Sequence, residues 1–198
     1  MTSSVEALSE AHLRALQQRL AKDLRADSLY ISLSGLDGVG KSTLAREICQ
    51  AMTAAGIRCQ IIHVFAWYKN LTVVPYRMIT GRSRGQVLIF DRSIYDNLVA
   101  LFARGPAPIW LARLTTGLVH LLYPRFDQRF FLYAPFEVIA QRRPEISRRR
   151  YDVMLERYQT VLAVADYQRL VSTPALFAQV LSLLLGPDEQ TDSLEATG

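Results

Sequence analysis

Nine consecutive residues near the start of the chain carry the strongest chemical signal in the sequence. They are Gly35-Leu36-Asp37-Gly38-Val39-Gly40-Lys41-Ser42-Thr43, and they fit the phosphate-binding pattern G-x-x-x-x-G-K-[ST]. Glycines allow backbone conformations that point successive N–H groups at a polyphosphate. Lys41 is then expected to reach the β- and γ-phosphates, and the Ser42 hydroxyl to bind Mg²⁺. This phosphate-binding loop, residues 35–43, therefore predicts a site for a nucleoside triphosphate.

The flanking residues supply the structural context that the pattern requires. Residues 28–34 alternate in a β-prone way before the first glycine, and apolar residues recur at helical spacing from Leu44 to Met52. A helix that begins near Lys41 would add its positive N-terminal end to the phosphate site. A chance match in a surface loop would lack this order of strand, glycine loop and helix, so nucleotide binding is favoured.

A second candidate site lies at the end of a continuous apolar run, residues 86–92. Such a run is typical of a central parallel strand with both faces covered, and ligands gather at the carboxyl ends of such strands. We therefore expect Asp91 to lie beside the phosphate-binding loop, near Mg²⁺ or its waters, and Arg92 to face a second phosphate. The alternative for Asp91 is to be the N-cap of a following helix. Tyr95 and Asp96 are weaker candidates.

The densest positive cluster spans residues 142–150 and contains Arg142, Arg143, Arg148, Arg149 and Arg150. A solvated basic face is the usual explanation for such a run. Arginines in a short segment interrupted by proline also suit a lid that closes over transferring phosphates. Both interpretations stay open at this point.

Strand-like and helix-like segments alternate along the chain. Strands are predicted at 28–34, 58–65, 86–92, 127–133 and 168–171, and helices at 41–54, 108–122, 135–140, 151–165 and 174–185, with another from residue 93. This order predicts a three-layer α/β sandwich with a mostly parallel five-stranded sheet. The helix at 108–122 is expected to be largely buried.

The domain organisation is predicted to be simple. Residues 1–186 are expected to form one domain, with an arginine-rich lid at 141–150. Residues 187–198 are polar and acidic and are expected to be a disordered tail. Residues 1–26 form a predicted amphipathic helix, which could pack on the sheet or mediate self-association as a homodimer.

Composition limits the classes of partner. The chain has 23 Lys and Arg against 18 Asp and Glu, and its surplus of arginine suits anionic substrates as well as nucleic acid. Two cysteines without a Cys or His cluster argue against structural zinc and against a disulfide framework. The polar N-terminus is typical of neither a signal nor a transit peptide, and the apolar runs are short or interrupted. These features predict a cytoplasmic protein that does not enter membranes.

The chain resembles the thymidylate kinase family of P-loop nucleoside monophosphate kinases. The phosphate-binding loop has an acid, Asp37, two places after its first glycine, and the sequence Phe90-Asp91-Arg92 matches the family's Asp-Arg motif. An arginine-rich segment stands where the family has its lid. The resemblance spans about residues 28 to 172, and it implies the P-loop NTPase fold.

The resemblance implies that Lys41 and the loop amides hold ATP, that Ser42 holds Mg²⁺, that Asp37 lies near the acceptor's sugar and that Arg92 binds the acceptor phosphate. Gly38 stands where some members have a catalytic arginine, and members with glycine there supply the arginine from the lid. The candidate catalytic residues are Lys41, Asp91, Arg92, Arg142, Arg143, Arg148 and Arg149; the candidate nucleotide-binding residues are Gly35, Asp37, Gly38, Val39, Gly40, Lys41, Ser42 and Thr43.

The acceptor is the open question, because the chain departs from the family after the second strand. The family has an Arg-Glu-Pro signature there, whereas residues 63–67 are His-Val-Phe-Ala-Trp, and the segment up to the third strand is short. Trp67 and Tyr68 could line an acceptor site or fill the core. Asp91-Arg92-Ser93 is also similar to the Glu-Arg-Ser motif of deoxynucleoside kinases, although no carboxylate closes the second strand.

Three hypotheses follow. The first is a Mg-ATP-dependent kinase of nucleoside monophosphates, with dTMP the leading acceptor. The second is a kinase of a nucleoside or another small metabolite. The third is a regulatory or nucleic-acid-associated protein that binds nucleotide without transferring phosphate, for which the basic cluster is the support. A GTPase switch is disfavoured, because the sequence has no Asn-Lys-x-Asp guanine signature.

Overall fold

The protein is built around one parallel β-sheet. A computed structural model describes residues 18, 28–63, 75–76, 85–103, 108–122, 126–165 and 167–185. Five parallel strands pair in the order β2-β3-β1-β4-β5. They are β1 Leu29–Gly35, β2 Cys59–His63, β3 Val87–Asp91, β4 Gln128–Tyr133 and β5 Gln168–Val171.

Helices connect the strands and cover the sheet. They are α1 Lys41–Ala54, α2 Ile94–Ala103, α3 Ile109–Leu122, α4 Phe136–Arg142, α5 Arg148–Ala165 and α6 Leu176–Leu185. Helix α1 packs against β1, β2, β3 and α6, whereas α2, α3 and α5 pack against one another. The expected α/β fold with a five-stranded parallel sheet is therefore confirmed, and the described boundaries agree with the predicted ones to within a few residues.

The two central strands, β1 and β3, are buried on both faces. Ile31, Leu33, Ile89 and Phe90 have no exposed surface, which explains why β3 is a continuous apolar run in the sequence. Strand β1 also contains Ser32 and Ser34, and both are buried. In the parallel register, Leu33 of β1 and His63 of β2 both lie opposite Asp91 of β3. The carboxyl ends of three strands therefore meet at one edge of the sheet, where the phosphate-binding loop begins.

Helix α3 corrects one expectation, because the segment 108–122 is not largely buried. Ala112 and Thr116 are fully buried, but the side chains of Trp110, Leu114 and Leu121 are 66%, 54% and 74% exposed. The helix packs against α2 and α5. Apolar composition alone does not decide burial, since much of any protein surface is apolar.

Several predictions fall on residues that the structure does not describe. Apart from Gln18, which is helical, the leading segment 1–26 lies outside the described residues. So do the last two residues of the predicted second strand, most of the segment 66–85 with Trp67 and Tyr68, and the tail 187–198. The single domain over residues 1–186 stays a prediction. Within the described residues, no helix has the length and apolar character needed to cross a membrane.

Candidate active site

The phosphate-binding loop requires glycine at its first residue and at the residue before α1. Gly35 has φ +142°, and a Cβ atom at this residue would lie 2.4 Å from the carbonyl oxygen of Leu132 on β4. Gly40 has φ +101° and precedes the first residue of α1. Both conformations lie in the region that side chains disfavour. The chain can thus turn tightly against β4 and enter α1 only with glycine at these positions.

The start of α1 presents free backbone donors toward the loop. Its first helical hydrogen bond runs from the Leu44 N–H to the Gly40 carbonyl at 2.9 Å. The N–H groups of Lys41, Ser42 and Thr43 come before this bond, so they have no partner within the helix. Together with the positive end of a 14-residue helix, they form a ready anion site.

Lys41 lies inside the loop rather than on the surface. Its side chain is 6% exposed, and Nζ donates hydrogen bonds to the carbonyl oxygens of Gly35 at 2.7 Å and Leu36 at 2.8 Å. Burial lowers the pKa of Lys41, and the nearby Asp96, Asp37 and Asp91 carboxylates partly oppose this shift. The ammonium group is thus held within the loop by two backbone carbonyl oxygens.

Ser42 and Asp91 form the pair expected of a magnesium site. The Ser42 hydroxyl donates to Asp91 Oδ2 at 2.6 Å, and His63 Nδ1 lies 3.1 Å from the same oxygen. Asp91 is 3% exposed, and its other oxygen, Oδ1, is buried without a hydrogen-bond partner among the described residues. A hydroxyl and a buried carboxylate oxygen with spare acceptor capacity fit Mg²⁺.

The alternative role of Asp91 as a helix cap is filled by other residues. Helix α2 begins at Ile94, and the Ser93 hydroxyl accepts a hydrogen bond from the Tyr95 N–H at 3.2 Å. Asp96 Oδ2 accepts from the Ser93 N–H at 2.9 Å, which completes a capping box. The side chain of Asp91 is therefore directed toward α1 and β2 instead.

Metal binding at this site would depend on few protein groups. Among the described residues, no group of three or more His, Cys, Asp and Glu side chains is arranged to hold a metal ion. Mg²⁺ keeps several waters and uses substrate phosphates as ligands, so one hydroxyl and one carboxylate are a sufficient protein contribution.

Arg92 is held in an unusual backbone conformation at the end of β3. Its φ is +83°, and it is the one non-glycine residue with positive φ in the described part of the chain. Its Nη2 donates to Asp37 Oδ1 in the loop, and Lys41 Nζ lies 3.9 Å from that same oxygen. Asp37 thus contacts both Arg92 and Lys41, the two cations that are predicted from the sequence to bind phosphates. Backbone strain of this kind concentrates at functional sites.

The arginine cluster is divided between two environments. Arg142, at the end of α4, donates from Nη1 to the Gly38 carbonyl oxygen at 3.0 Å. A Cβ atom at Gly38 would lie 2.9 Å from Cγ of Arg143, so this residue also borders the loop. Arg148 instead pairs with Glu137 and Asp152, both at 3.3 Å, on the surface.

The remaining arginines lie on the first turn of α5. Arg149 and Arg150 are exposed there. Of the predicted lid arginines, the structure therefore brings Arg142 and Arg143 to the phosphate-binding loop.

Asp96 has a larger part in the site than its sequence position suggested. Oδ1 accepts hydrogen bonds from the Gly35 N–H at 3.1 Å and the Tyr158 hydroxyl at 2.7 Å. Oδ2 accepts from Ser34 Oγ at 2.8 Å, in addition to the Ser93 N–H. A single buried carboxylate thus joins β1, the start of α2 and α5. The Ser-x-x-Asp spacing of a capping box was its only signal in the sequence.

Two other contacts were not foreseen. The Ser172 hydroxyl, after β5, donates to the Val39 carbonyl oxygen at 2.9 Å and supports the loop from the β5 side. His63, noted only as a departure from the family signature, contacts Asp91 because parallel pairing places the two residues side by side. Neither contact has a local sequence signal, since both depend on pairing between distant segments.

Comparison with known proteins identifies the fold. The chain is similar to the crystal structure of polyphosphate kinase 2 from Arthrobacter aurescens TC1, with a TM-score of 0.59 and 14% sequence identity over 99% of this chain and 86% of that one. No protein-family model matches the chain, and no curated protein matches it significantly. The chain has the P-loop NTPase fold, with its loop on the first strand of the sheet.

Proposed function

We propose that this chain transfers the γ-phosphoryl group of Mg-ATP to a small phosphorylated acceptor. The observation that carries the proposal is the joint arrangement of Lys41, Ser42 and Asp91 around one glycine loop. These groups match the parts that P-loop phosphotransferases use to hold a triphosphate and its metal ion. The similarity in fold to a polyphosphate kinase supports the same general class.

The residues of the loop would bind and orient the donor. The N–H groups at the start of α1 and the Lys41 ammonium would hold the β- and γ-phosphates. Ser42 Oγ and Asp91 Oδ1 would hold Mg²⁺, which neutralises charge on the β- and γ-phosphate oxygens when it is bound. His63, hydrogen-bonded to Asp91 Oδ2, would fix the orientation of that carboxylate.

Arginines would stabilise the charge that develops on the transferred group. Phosphoryl transfer needs little covalent chemistry from the protein, so positioning and positive charge account for most of the catalysis. Arg142 is the lid arginine that donates a hydrogen bond to the loop, at the Gly38 carbonyl oxygen. Arg92 would leave or share its contact with Asp37 to bind the phosphate of the acceptor.

The leading acceptor in this proposal is a nucleoside monophosphate, with dTMP first among those to be tested. Its support is the Asp91-Arg92 pair beside the loop and the resemblance to thymidylate kinases. The acceptor would approach from the carboxyl ends of β2 and β3, where open parallel sheets bind their ligands. Kinases of nucleosides or other metabolites use the same donor site, so only turnover can separate these acceptors.

Inorganic polyphosphate is a second candidate, as phosphate donor or acceptor. The similar solved structure is a polyphosphate kinase 2. In this chain, five arginines between residues 142 and 150 lie next to the loop or on the adjoining helix. Arginine forks bind successive phosphates along a polyanion, which gives this candidate a physical basis.

The decisive experiment measures ADP formation from Mg-ATP with separate acceptors: nucleoside monophosphates, nucleosides and inorganic polyphosphate. We expect turnover with at least one phosphorylated acceptor and none in Lys41→Ala. A preparation that binds ATP but turns over no acceptor would reject transfer and favour a regulatory role. Steep salt dependence of RNA or DNA binding in such a preparation would favour the nucleic-acid-associated alternative.

A further inference from the structure

The carbonyl oxygen of Gly35 has two different side-chain donors. Lys41 Nζ donates to it at 2.7 Å, and the Tyr158 hydroxyl lies 3.0 Å away. Tyr158 comes from α5, more than 120 residues further along the chain, and its side chain is 3% exposed. The first residue of the phosphate-binding loop is thus contacted by the same helix that carries Arg148, Arg149 and Arg150 on its first turn.

The Tyr158 hydroxyl also has a choice of acceptor. Asp96 Oδ1 lies 2.7 Å from it, closer than the Gly35 carbonyl oxygen. A hydroxyl has only one hydrogen to donate, so Tyr158 can satisfy only one of these acceptors fully at a time. With Lys41 on the Gly35 carbonyl, the hydrogen of Tyr158 is available to Asp96.

The Lys41 ammonium has three N–H donors, and two of them are on the carbonyl oxygens of Gly35 and Leu36, so binding both the β- and γ-phosphates would require it to release at least one of these oxygens. When it turns to a bound polyphosphate, the carbonyl oxygen of Gly35, of Leu36 or of both loses its ammonium donor. The Leu36 oxygen retains the Val39 N–H at 3.4 Å. The Gly35 oxygen has Tyr158 as its remaining side-chain donor among the described residues, and a buried carbonyl without a donor is costly.

We propose that Tyr158 is a positioning residue that takes over the Gly35 carbonyl when Lys41 moves to the phosphates of the bound nucleotide. The inference rests on the proposed function, because it requires Lys41 to bind phosphate. Asp96 Oδ1 stays paired during the exchange, since it also accepts from the Gly35 N–H. Burial and the adjacent Asp96 raise the pKa of Tyr158 well above its ordinary value, so the hydroxyl keeps the hydrogen it must donate.

The exchange would make nucleotide binding change the contact between α5 and the loop. The hydrogen bond from Tyr158 would switch from Asp96 to the loop, and α5 would be held to the loop more firmly in the bound state. Because α5 begins at Arg148, the bound nucleotide would help to fix the position of residues 148–150, the last part of the arginine cluster at 142–150.

The test compares Tyr158→Phe with Tyr151→Phe. Tyr151 is on the same helix, is equally buried at 3%, and donates to the backbone oxygen of Ala134 rather than to the loop. The two variants therefore make the same chemical change in similar surroundings. ATP affinity is measured by calorimetry in the presence of Mg²⁺, and the melting temperature is measured without nucleotide.

We expect Tyr158→Phe to bind ATP about tenfold more weakly than wild type, the scale of one unsatisfied buried acceptor. Tyr151→Phe should bind ATP as wild type does, and without nucleotide the two variants should melt at similar temperatures. In Lys41→Ala, which has lost the ammonium in both states, adding Tyr158→Phe should change ATP affinity much less.

Equal ATP affinities in the two tyrosine variants would overturn the inference while leaving the proposed function intact. So would failure of Tyr158→Phe to fold without nucleotide, because that result would assign the hydroxyl a purely structural role. Absence of ATP binding by the wild-type protein would overturn both the inference and the proposed function.

Discussion

Ser42 donates a 2.6 Å hydrogen bond to Asp91, although the two residues are 49 positions apart in the chain. The contact joins the first turn of α1 to the end of β3 and places the two predicted metal ligands side by side. The second oxygen of Asp91 is buried without a partner in the described part of the structure, which is a costly arrangement unless a ligand satisfies it.

The first prediction concerns the metal. Ser42→Ala and Asp91→Asn should each raise the Mg²⁺ concentration needed for half-maximal phosphate transfer, by about 10- to 100-fold. ATP binding measured in EDTA should change little, since the loop amides and Lys41 remain. A Mg²⁺ titration of turnover gives the comparison, and an unchanged half-saturation in both variants would exclude this pair as the metal site.

The second prediction concerns the loop backbone. Gly35→Ala should destabilise the fold by about 3 kcal/mol or more, because the new Cβ would lie 2.4 Å from a backbone oxygen at a positive φ. Gly117→Ala is the matched control: this glycine lies within α3, and a Cβ there meets nothing within 4 Å. That substitution should stabilise the protein by about 0.5 to 1 kcal/mol. Urea unfolding measures both, and equal effects would contradict the structure of the loop.

The third prediction concerns Asp96. Asp96→Asn replaces one acceptor oxygen by an amide donor among groups that all donate, namely the N–H groups of Gly35 and Ser93 and the hydroxyls of Ser34 and Tyr158. We expect a loss of about 2 to 3 kcal/mol in the free energy of unfolding. Asp152→Asn, at an exposed ion pair with Arg148, should change it by less than about 0.5 kcal/mol. Similar losses of unfolding free energy in the two variants would contradict the stabilising role that the structure gives to Asp96.

The fourth prediction concerns alkaline pH. Burial raises the pKa of Tyr167 above its ordinary value of 10.0, and its hydroxyl contacts Ser32, Ser34 and Ser93. Above pH 10 the unfolded chain releases this proton first, so the folded state binds more protons and stability falls as pH rises. Tyr167→Phe should make that fall less steep, whereas Tyr76→Phe, at an exposed tyrosine, should not. Urea unfolding between about pH 9 and 11 tests this; identical slopes in wild type and Tyr167→Phe would contradict it.

Local patterns allowed much of the site to be predicted. The phosphate-binding loop and the end of β3 were identifiable because each depends on a contiguous run of residues with a characteristic spacing or hydrophobicity. Their proximity followed from the rule that parallel strands present their carboxyl ends at one edge.

Other features could not be read from sequence because they depend on packing between distant segments. The contact of Tyr158 with Asp96 joins residues 62 positions apart, and in the sequence Tyr158 is one more apolar position on a helical stripe. The exposure of Trp110 could not be read either, since composition does not reveal which side of a helix meets a neighbour. Which arginines of the cluster border the phosphate-binding loop depends on where α4 ends and α5 begins.

The most direct test of the central claim follows the γ-phosphate itself. Labelled Mg-ATP is incubated with the acceptor that gives turnover, using wild type, Lys41→Ala, Arg142→Ala and Arg148→Ala. The proposal predicts that label moves from ATP to the acceptor in wild type, that Lys41→Ala abolishes transfer, and that Arg142→Ala slows it more than Arg148→Ala. Label released only as inorganic phosphate, or transfer by Lys41→Ala at the wild-type rate, would contradict the proposed phosphotransferase.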